Sequence, residues 1–307
     1  MNDQKNLFLA IGLSIIIIIF FQILFPTQSI QNTNNESNKI ADTNLSIDAE
    51  NTPSLDISKP KEEILISSKR VKIDTPSLKG SINLQGAILD DLTLSKYKVS
   101  MEENAKNIDL FSPDGSANPY YVETGWRNIN NNSSIELPNL KTKWKTNSTT
   151  LTSENIVTLT WINSQDIIFK ITYELDKNYM FSIKQEIINQ SNQNLELFPY
   201  RLIKRINTPD TINFFILHEG LISLLNDELL EKKYSDLMDD CSSSKNKSLF
   251  CDNKATGGWL GFTDKYWMTV LIPNQDQSVG INYRHGNNGK DHFRVGYVGQ
   301  INVIKPD

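Results

Sequence analysis

The side chains best suited to acid–base chemistry in this chain are its three histidines, His218, His285 and His292. Glu219 follows His218, and an imidazole beside a carboxylate is a pairing that general acid–base catalysis uses. The pair follows an apolar stretch and precedes Gly220, which is typical of a turn at the end of a strand, where His218 would bond to the backbone. The sequence favours this structural role and predicts no catalytic residue.

A metal or nucleotide site has only weak support in the sequence. His285 lies in a segment rich in glycine and asparagine that predicts a solvated hairpin loop, and His292 begins the strand that follows. Two histidines without a cysteine or carboxylate at a fixed spacing do not define a metal site. The chain also lacks the glycine-rich phosphate-binding motifs and the H-E-x-x-H zinc motif. We therefore expect neither a metal nor a cofactor.

Four aromatic residues stand close together in the sequence, namely Trp259, Phe262, Tyr266 and Trp267. Such rings could stack on a sugar, but at the spacing of β-strands they more often pack in a core. Together with the His218–Glu219 pair, they support an alternative function, a membrane-anchored periplasmic protein that acts on or binds carbohydrate.

One long apolar stretch, at residues 7–25, carries no charge. As a helix it would extend about 28 Å, close to the roughly 30 Å hydrocarbon thickness of a bilayer. A cleaved signal peptide is the alternative, but the stretch is longer than the usual signal core and no small-residue cleavage motif follows it. We therefore predict one transmembrane helix at residues 7–25 that stays in the protein.

The residues on either side of this helix predict its orientation. Lys5 and the terminal amine precede it, whereas no Lys or Arg follows it until Lys39. The positive-inside bias therefore predicts a cytoplasmic N-terminus at residues 1–6 and export of the chain from Pro26 onward. Residues 26–60 are rich in Asn, Ser and Thr and predict a disordered tether. The net charge of −5 without a basic cluster argues against a nucleic-acid partner.

Two cysteines, Cys241 and Cys251, enclose a polar segment in the exported part of the chain. In an oxidising compartment they could form a disulfide, which would stabilise the fold by about 2–3 kcal/mol for a loop of this size. The alternative is a pair of unpaired thiols in a mobile loop.

Alternation of apolar and polar residues dominates from residue 64 onward and predicts an all-β domain at residues 61–307. Residues 167–175, 179–187 and 195–206 predict three consecutive antiparallel strands in one wide sheet, and Pro199 suggests an edge or a bulge. Helical spacing occurs only at residues 221–238. So many strands favour a large antiparallel β-sandwich of two packed sheets. Further strands are predicted at residues 70–74, 81–85, 92–94, 157–161, 212–217, 267–272, 279–283 and 293–298.

The run KATGGWLGFTDKYWMTVLIPNQ at residues 254–275 closely resembles the periplasmic domain of the YidC membrane protein insertases of Gram-negative bacteria, in the YidC/Oxa/Alb family. Residues 6–22 resemble the first transmembrane segment of that family. Other blocks agree in the same order, at residues 71–76, 80–87, 90–92, 112–113, 119–121, 125–126, 178–181, 200–202, 208–210 and 215–220. Ordered blocks over most of a chain are more specific than any single motif.

The resemblance implies a β-supersandwich related in shape to galactose mutarotases, without their activity. It implies insertion and folding of inner-membrane proteins, alone or with the Sec translocon. The expected partners are membrane lipid, nascent inner-membrane proteins and the translocon subunits SecD, SecF and SecYEG, and the expected location is the inner membrane with the β domain in the periplasm. The family's further transmembrane helices, which form an intramembrane groove, do not occur in this sequence. We therefore expect the N-terminal part of a longer insertase, with a β domain that is incomplete at its C-terminus.

Overall fold

A computed structural model describes residues 58–129, 135–211, 217–237, 252–287 and 289–306. One short helix, α1 (Lys61–Ile66), precedes the strands. In chain order the strands are β1 (Arg70–Asp74), β2 (Leu78–Asn83), β3 (Ile88–Lys98), β4 (Asn107–Phe111), β5 (Tyr120–Asn128), β6 (Lys145–Thr146), β7 (Thr150–Leu151), β8 (Val157–Ile162), β9 (Ile167–Leu175), β10 (Phe181–Asn189), β11 (Leu195–Ile206), β12 (Gly220–Leu225), β13 (Glu228–Lys233), β14 (Asp252–Thr256), β15 (Trp259–Thr263), β16 (Met268–Leu271), β17 (Ser278–Asn287), β18 (Asp291–Val298) and β19 (Asn302–Ile304).

The described strands form one large sheet and two small ones. The large sheet has eleven strands in the order β14-β17-β18-β11-β5-β3-β2-β1-β7, with β19 paired to β11 and β4 paired to β3. The first small sheet has the order β10-β9-β8-β6, and the second has the order β13-β12-β15-β16. All pairs are antiparallel except β1 with β7, which is parallel. The predicted all-β class is confirmed, with this single departure from an antiparallel arrangement.

Both small sheets pack against the same face of the large sheet, which we call the core face. Trp126 on β5 meets Phe169 on β9, with ring centroids 5.2 Å apart. Tyr283 on β17 donates a hydrogen bond of 3.0 Å to the Ser223 hydroxyl on β12. Strand pairing runs from β5 through β11 and β18 to β17. Because side chains alternate between the two faces along each strand, this pairing places Trp126 and Tyr283 on the same face of the large sheet. The result is a sandwich with two small sheets side by side in one layer.

One apolar core lies between the layers. Its members come from all three sheets, and many of them are fully buried. The core includes Ile73 and Ile203 from the large sheet, Phe169 and Ile171 from the first small sheet, and Leu260 from the second. The alternation predicted for residues 167–175 is seen in β9, where every second side chain is buried. Burial of one face of each strand is what holds the two layers together.

The three consecutive long strands predicted to share one sheet do not do so. β9 and β10 pair along their whole length, but β11 crosses to the large sheet and pairs with β5, β18 and β19. Pro199 lies in the interior of that sheet, so of the two predicted positions, an edge or a bulge, the edge is wrong. On the side of β11 that pairs with β18 and β19, the ladder of hydrogen bonds is interrupted between these two strands. At this place the Gly299 amide donates to the Pro199 carbonyl. The missing amide of the proline therefore costs no strand pairing.

The helical spacing at residues 221–238 also fails to predict the observed structure. The structure has the hairpin of β12 and β13 there, and a helical turn begins only at Tyr234. Asn226 and Asp227 connect the strands with φ of 51° and 64°. Two successive positive φ values define the tight turn that suits a two-residue hairpin. Pairing of β12 with β15 then overrides the local helical preference.

Several predictions fall on residues that the structure leaves undescribed. They are the transmembrane helix at 7–25, most of the tether, the strand at 212–217 except for its last residue, and the Cys241–Cys251 disulfide. Among the described residues, no helix is long and apolar enough to cross a membrane.

Candidate functional site

His218 occupies the turn before β12 and bonds to the backbone. Its Nε2 lies 2.7 Å from the carbonyl oxygen of Leu221. The neighbouring Glu219 is buried, with 7% of its surface exposed. The predicted bond of His218 to the backbone is confirmed, and it joins the turn to the strand that follows.

His285 and His292 belong to the same hairpin but lie on opposite faces of the large sheet. His285 is directly across from Phe293, and His292 is across from Gly286. His285 points into the core face, where only 5% of its side chain is exposed and its Nε2 lies 3.0 Å from Asp291 Oδ1. The predicted solvated loop is therefore wrong. In the part of the chain that the structure describes, no group of three His, Cys, Asp or Glu residues could hold a metal ion.

The four aromatic residues near residue 260 do not form one surface. Phe262 is buried in the core, where its ring stacks on Tyr234 at 5.8 Å. Tyr266 is 69% exposed. Trp267 meets the ring of Tyr97 from another sheet, with centroids 4.7 Å apart. The fold thus buries Phe262 and leaves Tyr266 and Trp267 at a turn, so the aromatic residues of the sugar-binding alternative do not act as one set.

A different set of aromatic residues is brought together, from the tips of three hairpins. Tyr97 lies one residue before the end of β3 in the large sheet, Tyr179 lies in the β9–β10 turn, and Trp267 lies in the β15–β16 turn. Tyr97 contacts the Trp267 ring, and interaction with the Tyr179 hydroxyl raises the pKa of the Tyr97 hydroxyl. One residue from each sheet therefore meets at a single place.

Exposed apolar side chains next to these three rings in the chain enlarge the surface that they form. The hairpin-tip surface, as we define it, comprises Tyr97, Tyr179 and Trp267 with their chain neighbours Met180, Tyr266 and Met268. Tyr97 and Tyr179 are 43% and 42% exposed, and the methionines are 54% and 51% exposed. Such exposure of tyrosine and methionine marks a contact surface in soluble domains, since methionine adapts to partners of varied shape.

A buried ion pair holds the Trp267 turn in place. Arg205 of β11 donates from Nη1 to both carboxylate oxygens of Asp264 at 2.8 Å, and Asp264 begins the turn that carries Trp267. The guanidinium also lies 4.6 Å from the centroid of Tyr120 and 3.0 Å from the Tyr234 hydroxyl. Burial lowers the pKa of Arg205, but Tyr234 and Asp264 outweigh it and raise that pKa overall. The turn is thereby pinned to the central strands of the large sheet.

The Tyr179 turn is held in a similar way. The Asp176 carboxylate accepts hydrogen bonds from the amides of Asn178 and Met180, at 2.8 and 3.0 Å. The Ser77 hydroxyl, which precedes β2, donates to the Lys177 carbonyl at 3.1 Å. The exposed rings thus stand on turns that are bonded to the sheets, which favours a pre-organised contact surface.

Sequence reasoning missed this surface, although a local signal was present. Residues 179–180 and 266–268 place Tyr, Met and Trp directly after the turn residues 176–178 and 264–265. Turns usually carry polar residues, so large apolar residues at these positions are informative. Only the tertiary structure shows that Tyr97, more than 80 residues before Tyr179 in sequence, belongs to the same surface.

Comparison with known proteins identifies relatives of this chain. The sequence model of the YidC periplasmic domain matches residues 70–307. The chain is 36% identical over 304 residues to a protein named membrane protein insertase YidC from Granulibacter bethesdensis, covering 96% of this chain and 51% of the relative. It is 35% identical over 308 residues to the protein of the same name from Rickettsia bellii, covering 99% of this chain and 53% of the relative.

The chain thus spans about half the length of the curated relatives it matches. Among solved structures, a galactose mutarotase-like protein from Lactobacillus casei matches with a TM-score of 0.37 and 11% identity. That match covers 74% of this chain and 87% of the other.

Proposed function

This chain belongs to the family of the YidC periplasmic domain, and from that membership we propose that it is the N-terminal part of a membrane protein insertase. The observation that carries the proposal is the alignment of nearly the whole chain with half of each relative named as an insertase. The proposed activity is insertion and folding of inner-membrane proteins, alone or with the Sec translocon. The proposed chemistry is non-covalent, so the protein is not an enzyme in the usual sense.

We propose a location that follows from the same membership and from the apolar stretch. Residues 7–25 anchor the chain in the bacterial inner membrane, with residues 1–6 in the cytoplasm. The β domain stands in the periplasm on the tether of residues 26–60. SecD, SecF and SecYEG are the translocon subunits that it would meet there.

A chimeric protein tests the insertase proposal. Residues 1–307 are joined to the remaining half of the Granulibacter relative and expressed in a bacterium depleted of its own insertase. We expect restored growth and restored insertion of an inner-membrane reporter, measured by protease protection, whereas residues 1–307 alone restore neither. If the chimera fails at an expression level where the intact relative succeeds, the proposal is wrong.

The hairpin-tip surface is the part of the β domain that we propose contacts apolar segments of nascent inner-membrane proteins. Supporting this, its exposed rings and methionines come from three sheets and stand on bonded turns. Clients of an insertase are apolar by definition, and adaptable apolar surfaces bind varied apolar sequences.

Site-specific photo-crosslinking tests that contact. A photoreactive amino acid replaces Tyr266 or Met180 in the chimera, with Lys184 as the matched position, since Lys184 is also exposed but lies on the first small sheet. We expect crosslinks to a stalled nascent reporter from positions 266 and 180 and none from position 184. Equal crosslinking at all three positions, or capture of Sec subunits alone, would exclude client binding by this surface.

A further inference from the structure

The hairpin of β3 and β4 ends in a connection that the structure holds in a defined shape. The pairing register of the two strands shifts between Leu94 and Lys98, where β3 forms a bulge. The Asn107 side chain donates to the carbonyl oxygens of Leu94 and Ser95, at 3.1 and 2.7 Å, and so fixes the bulge. A bulge redirects the side chains of its strand. We call residues 96–106, which include the end of β3 and the turn, the β3–β4 tip.

Apolar and cationic side chains alternate at the start of this tip. Tyr97, Val99 and Met101 alternate in the sequence with Lys96 and Lys98. All five side chains are exposed, Val99 by 62% and Met101 completely. Large apolar side chains that stay exposed side by side mark a contact surface, because they gain free energy only by burial against something outside the domain.

The β3–β4 tip is continuous with the hairpin-tip surface. Tyr97 belongs to both, and its ring centroid lies 4.7 Å from that of Trp267. The β15–β16 turn adds another cation, since Lys265 Nζ lies 4.7 Å from the ring centroid of Tyr266. Lysines beside exposed aromatic rings are typical of surfaces at the level of lipid head groups. There the rings and the lysine stems meet the acyl boundary while the ammonium groups stay in water.

The charges of the tip suit the surface of an anionic bilayer, although the whole chain has a net charge of −5. Lys96, Lys98 and Lys106 outnumber the two carboxylates, Glu102 and Glu103. Each lysine close to an anionic lipid surface is attracted to it. The two glutamates oppose deep burial in hydrocarbon. The charge pattern therefore fits contact at head-group depth.

The path of the chain allows the tip to reach a membrane. The helix α1, which follows the tether, is joined to β4 by Lys61, whose Nζ lies 3.0 Å from Asp109 Oδ1. Eight residues separate Asp109 from Met101, so the two are at most about 28 Å apart. A flexible coil as long as the proposed tether, residues 26–60, reaches roughly 30 Å. The two lengths are similar, so the anchor lets the tip touch the bilayer.

We propose that the β3–β4 tip contacts the lipid bilayer at head-group depth, with an anionic phospholipid surface as its partner. The inference rests on the anchor at residues 7–25 proposed above. Apolar segments of client proteins enter the bilayer at this depth. Lipid contact by the tip would therefore hold the adjoining hairpin-tip surface where those segments arrive.

Fluorescence quenching by labelled lipid tests the contact. The full chain, with Cys241→Ser and Cys251→Ser, carries a single fluorophore on Met101→Cys in vesicles of phosphatidylethanolamine and phosphatidylglycerol. Some of the lipids bear a nitroxide on the head group. We expect quenching at position 101 to be at least about twice that at a matched position elsewhere on the domain.

The matched position is Leu140→Cys, which carries the same fluorophore. Leu140 is 40% exposed, and Lys141 and Lys143 after it are exposed as well. The Thr142 carbonyl accepts a hydrogen bond from the Gly86 amide in the β2–β3 turn, so this segment lies at the other end of β3 from the tip. It resembles the tip in composition and differs in position. Equal quenching at positions 101 and 140 would overturn the proposal.

Two double variants of the chain labelled at position 101 test the lysines. Lys96→Gln with Lys98→Gln removes two charges from the tip, and Lys141→Gln with Lys143→Gln removes two at the same spacing from the control segment. We expect the first pair to reduce quenching at least about twofold and the second to leave it unchanged. Equal effects of the two pairs would contradict a contact made by the tip.

Other outcomes separate this inference from the proposals on which it builds. A chain that does not float with the vesicles would overturn the anchor and the lipid contact together. Flotation without quenching at position 101 would overturn the lipid contact alone, and crosslinks of clients to Tyr266 and Met180 would be unaffected. Protection of the fluorophore from iodide in solution, without quenching by the lipid nitroxide, would indicate a second copy of the chain as the partner and would contradict the proposal.

Discussion

At the scale of single residues, the polar groups of the β17–β18 hairpin stabilise the fold through hydrogen bonds. His285 packs its ring on Phe293 at 5.0 Å and shares Asp291 with Asn287 and Thr208. Asp291 thus accepts three hydrogen bonds at the end of a hairpin whose inner side is core. The histidine is positioned by burial, and its partner carboxylate ties the hairpin to the residues after β11.

We expect Asp291→Asn to destabilise the protein in a pH-dependent way. Burial raises the pKa of Asp291, but hydrogen bonds from His285, Asn287 and Thr208 outweigh it and lower the pKa below its ordinary value. The unfolded chain therefore binds the proton more tightly than the folded one. The stabilisation is complete above about pH 4 and is lost as the pH falls through the lowered pKa.

Urea denaturation at pH 7 and pH 3 measures this effect. The loss of unfolding free energy should be about 1–2 kcal/mol at pH 7 and clearly smaller at pH 3. Asp276→Asn, in the exposed turn before β17, is the matched control and should change stability by less than about 0.5 kcal/mol. A loss that is the same at both pH values would show that the carboxylate charge is unimportant.

The Arg205–Asp264 pair allows a second prediction at this scale. Arg205→Met should lower the unfolding free energy by about 3 kcal/mol, because it leaves the Asp264 carboxylate, whose side chain is 24% exposed, without its cation. The double variant with Asp264→Asn should lose less than the sum of the single variants, with a coupling of at least about 1 kcal/mol. Simple additivity in chemical denaturation would contradict the role assigned to this pair.

At the scale of elements, strand pairing decided the structure of residues 221–238. Leu221, Leu224 and Leu225 have helical spacing, yet β12 is an inner strand between β13 and β15. The turn at Asn226 and Asp227 permits this, because both residues tolerate positive φ.

The strand β5 was not predicted from the sequence, for another reason. Buried side chains occur on both of its faces, so its sequence does not alternate.

The close approach of β15 to β16 provides the prediction for this scale. A Cβ at Gly261 would lie 1.9 Å from the carbonyl oxygen of Thr269, whereas a Cβ at Gly286 would meet nothing within 4 Å. We expect Gly261→Ala to lower the unfolding free energy by about 3 kcal/mol or more, and Gly286→Ala, the matched control, by less than about 1 kcal/mol. Thermal denaturation of both variants measures the difference. Equal stability would mean that β15 and β16 separate easily.

At the scale of the whole molecule, a single core joins three sheets. The contact of Trp126 with Phe169 joins the large sheet to the first small sheet. Tyr234 contacts both Phe293 of the large sheet and Phe262 of the second small sheet, and so connects these two sheets. Neither small sheet has a core of its own, because its buried face needs the large sheet. The hairpin-tip surface depends on this shared core, since its three parts come from different sheets.

We expect the described β domain to unfold as one cooperative unit. Native-state hydrogen exchange should give the slowest amides of β9 and of β15 the same opening free energy, within about 1 kcal/mol, because both strands lose their buried face in the same event. A value for β15 lower than that for β9 by more than about 2 kcal/mol would show that the second small sheet opens independently.

Some elements were predictable to the residue. Alternation identified β1 and β9 with the bounds found in the structure, because each buries one face along its length. The bounds of β11 were also predicted, although buried side chains occur on both of its faces. The strand partners were not predictable in this way. β9 and β11 were both predicted as strands of one sheet, yet they belong to different sheets, since a strand pattern reports burial and not the neighbour that provides it.

By itself, the sequence determined the family through ordered blocks of residues, the all-β class through alternation, and the backbone bond of His218 through its turn position. Tertiary structure alone decided that Tyr97, Tyr179 and Trp267 share one surface, that His285 is buried, and that the β3–β4 tip continues the hairpin-tip surface. The physical reason is the sequence separation over which the interactions act. Alternation and turn chemistry act between neighbours in the chain. Surfaces and charge clusters depend instead on strand register between distant segments, and the packing of the common core selects that register.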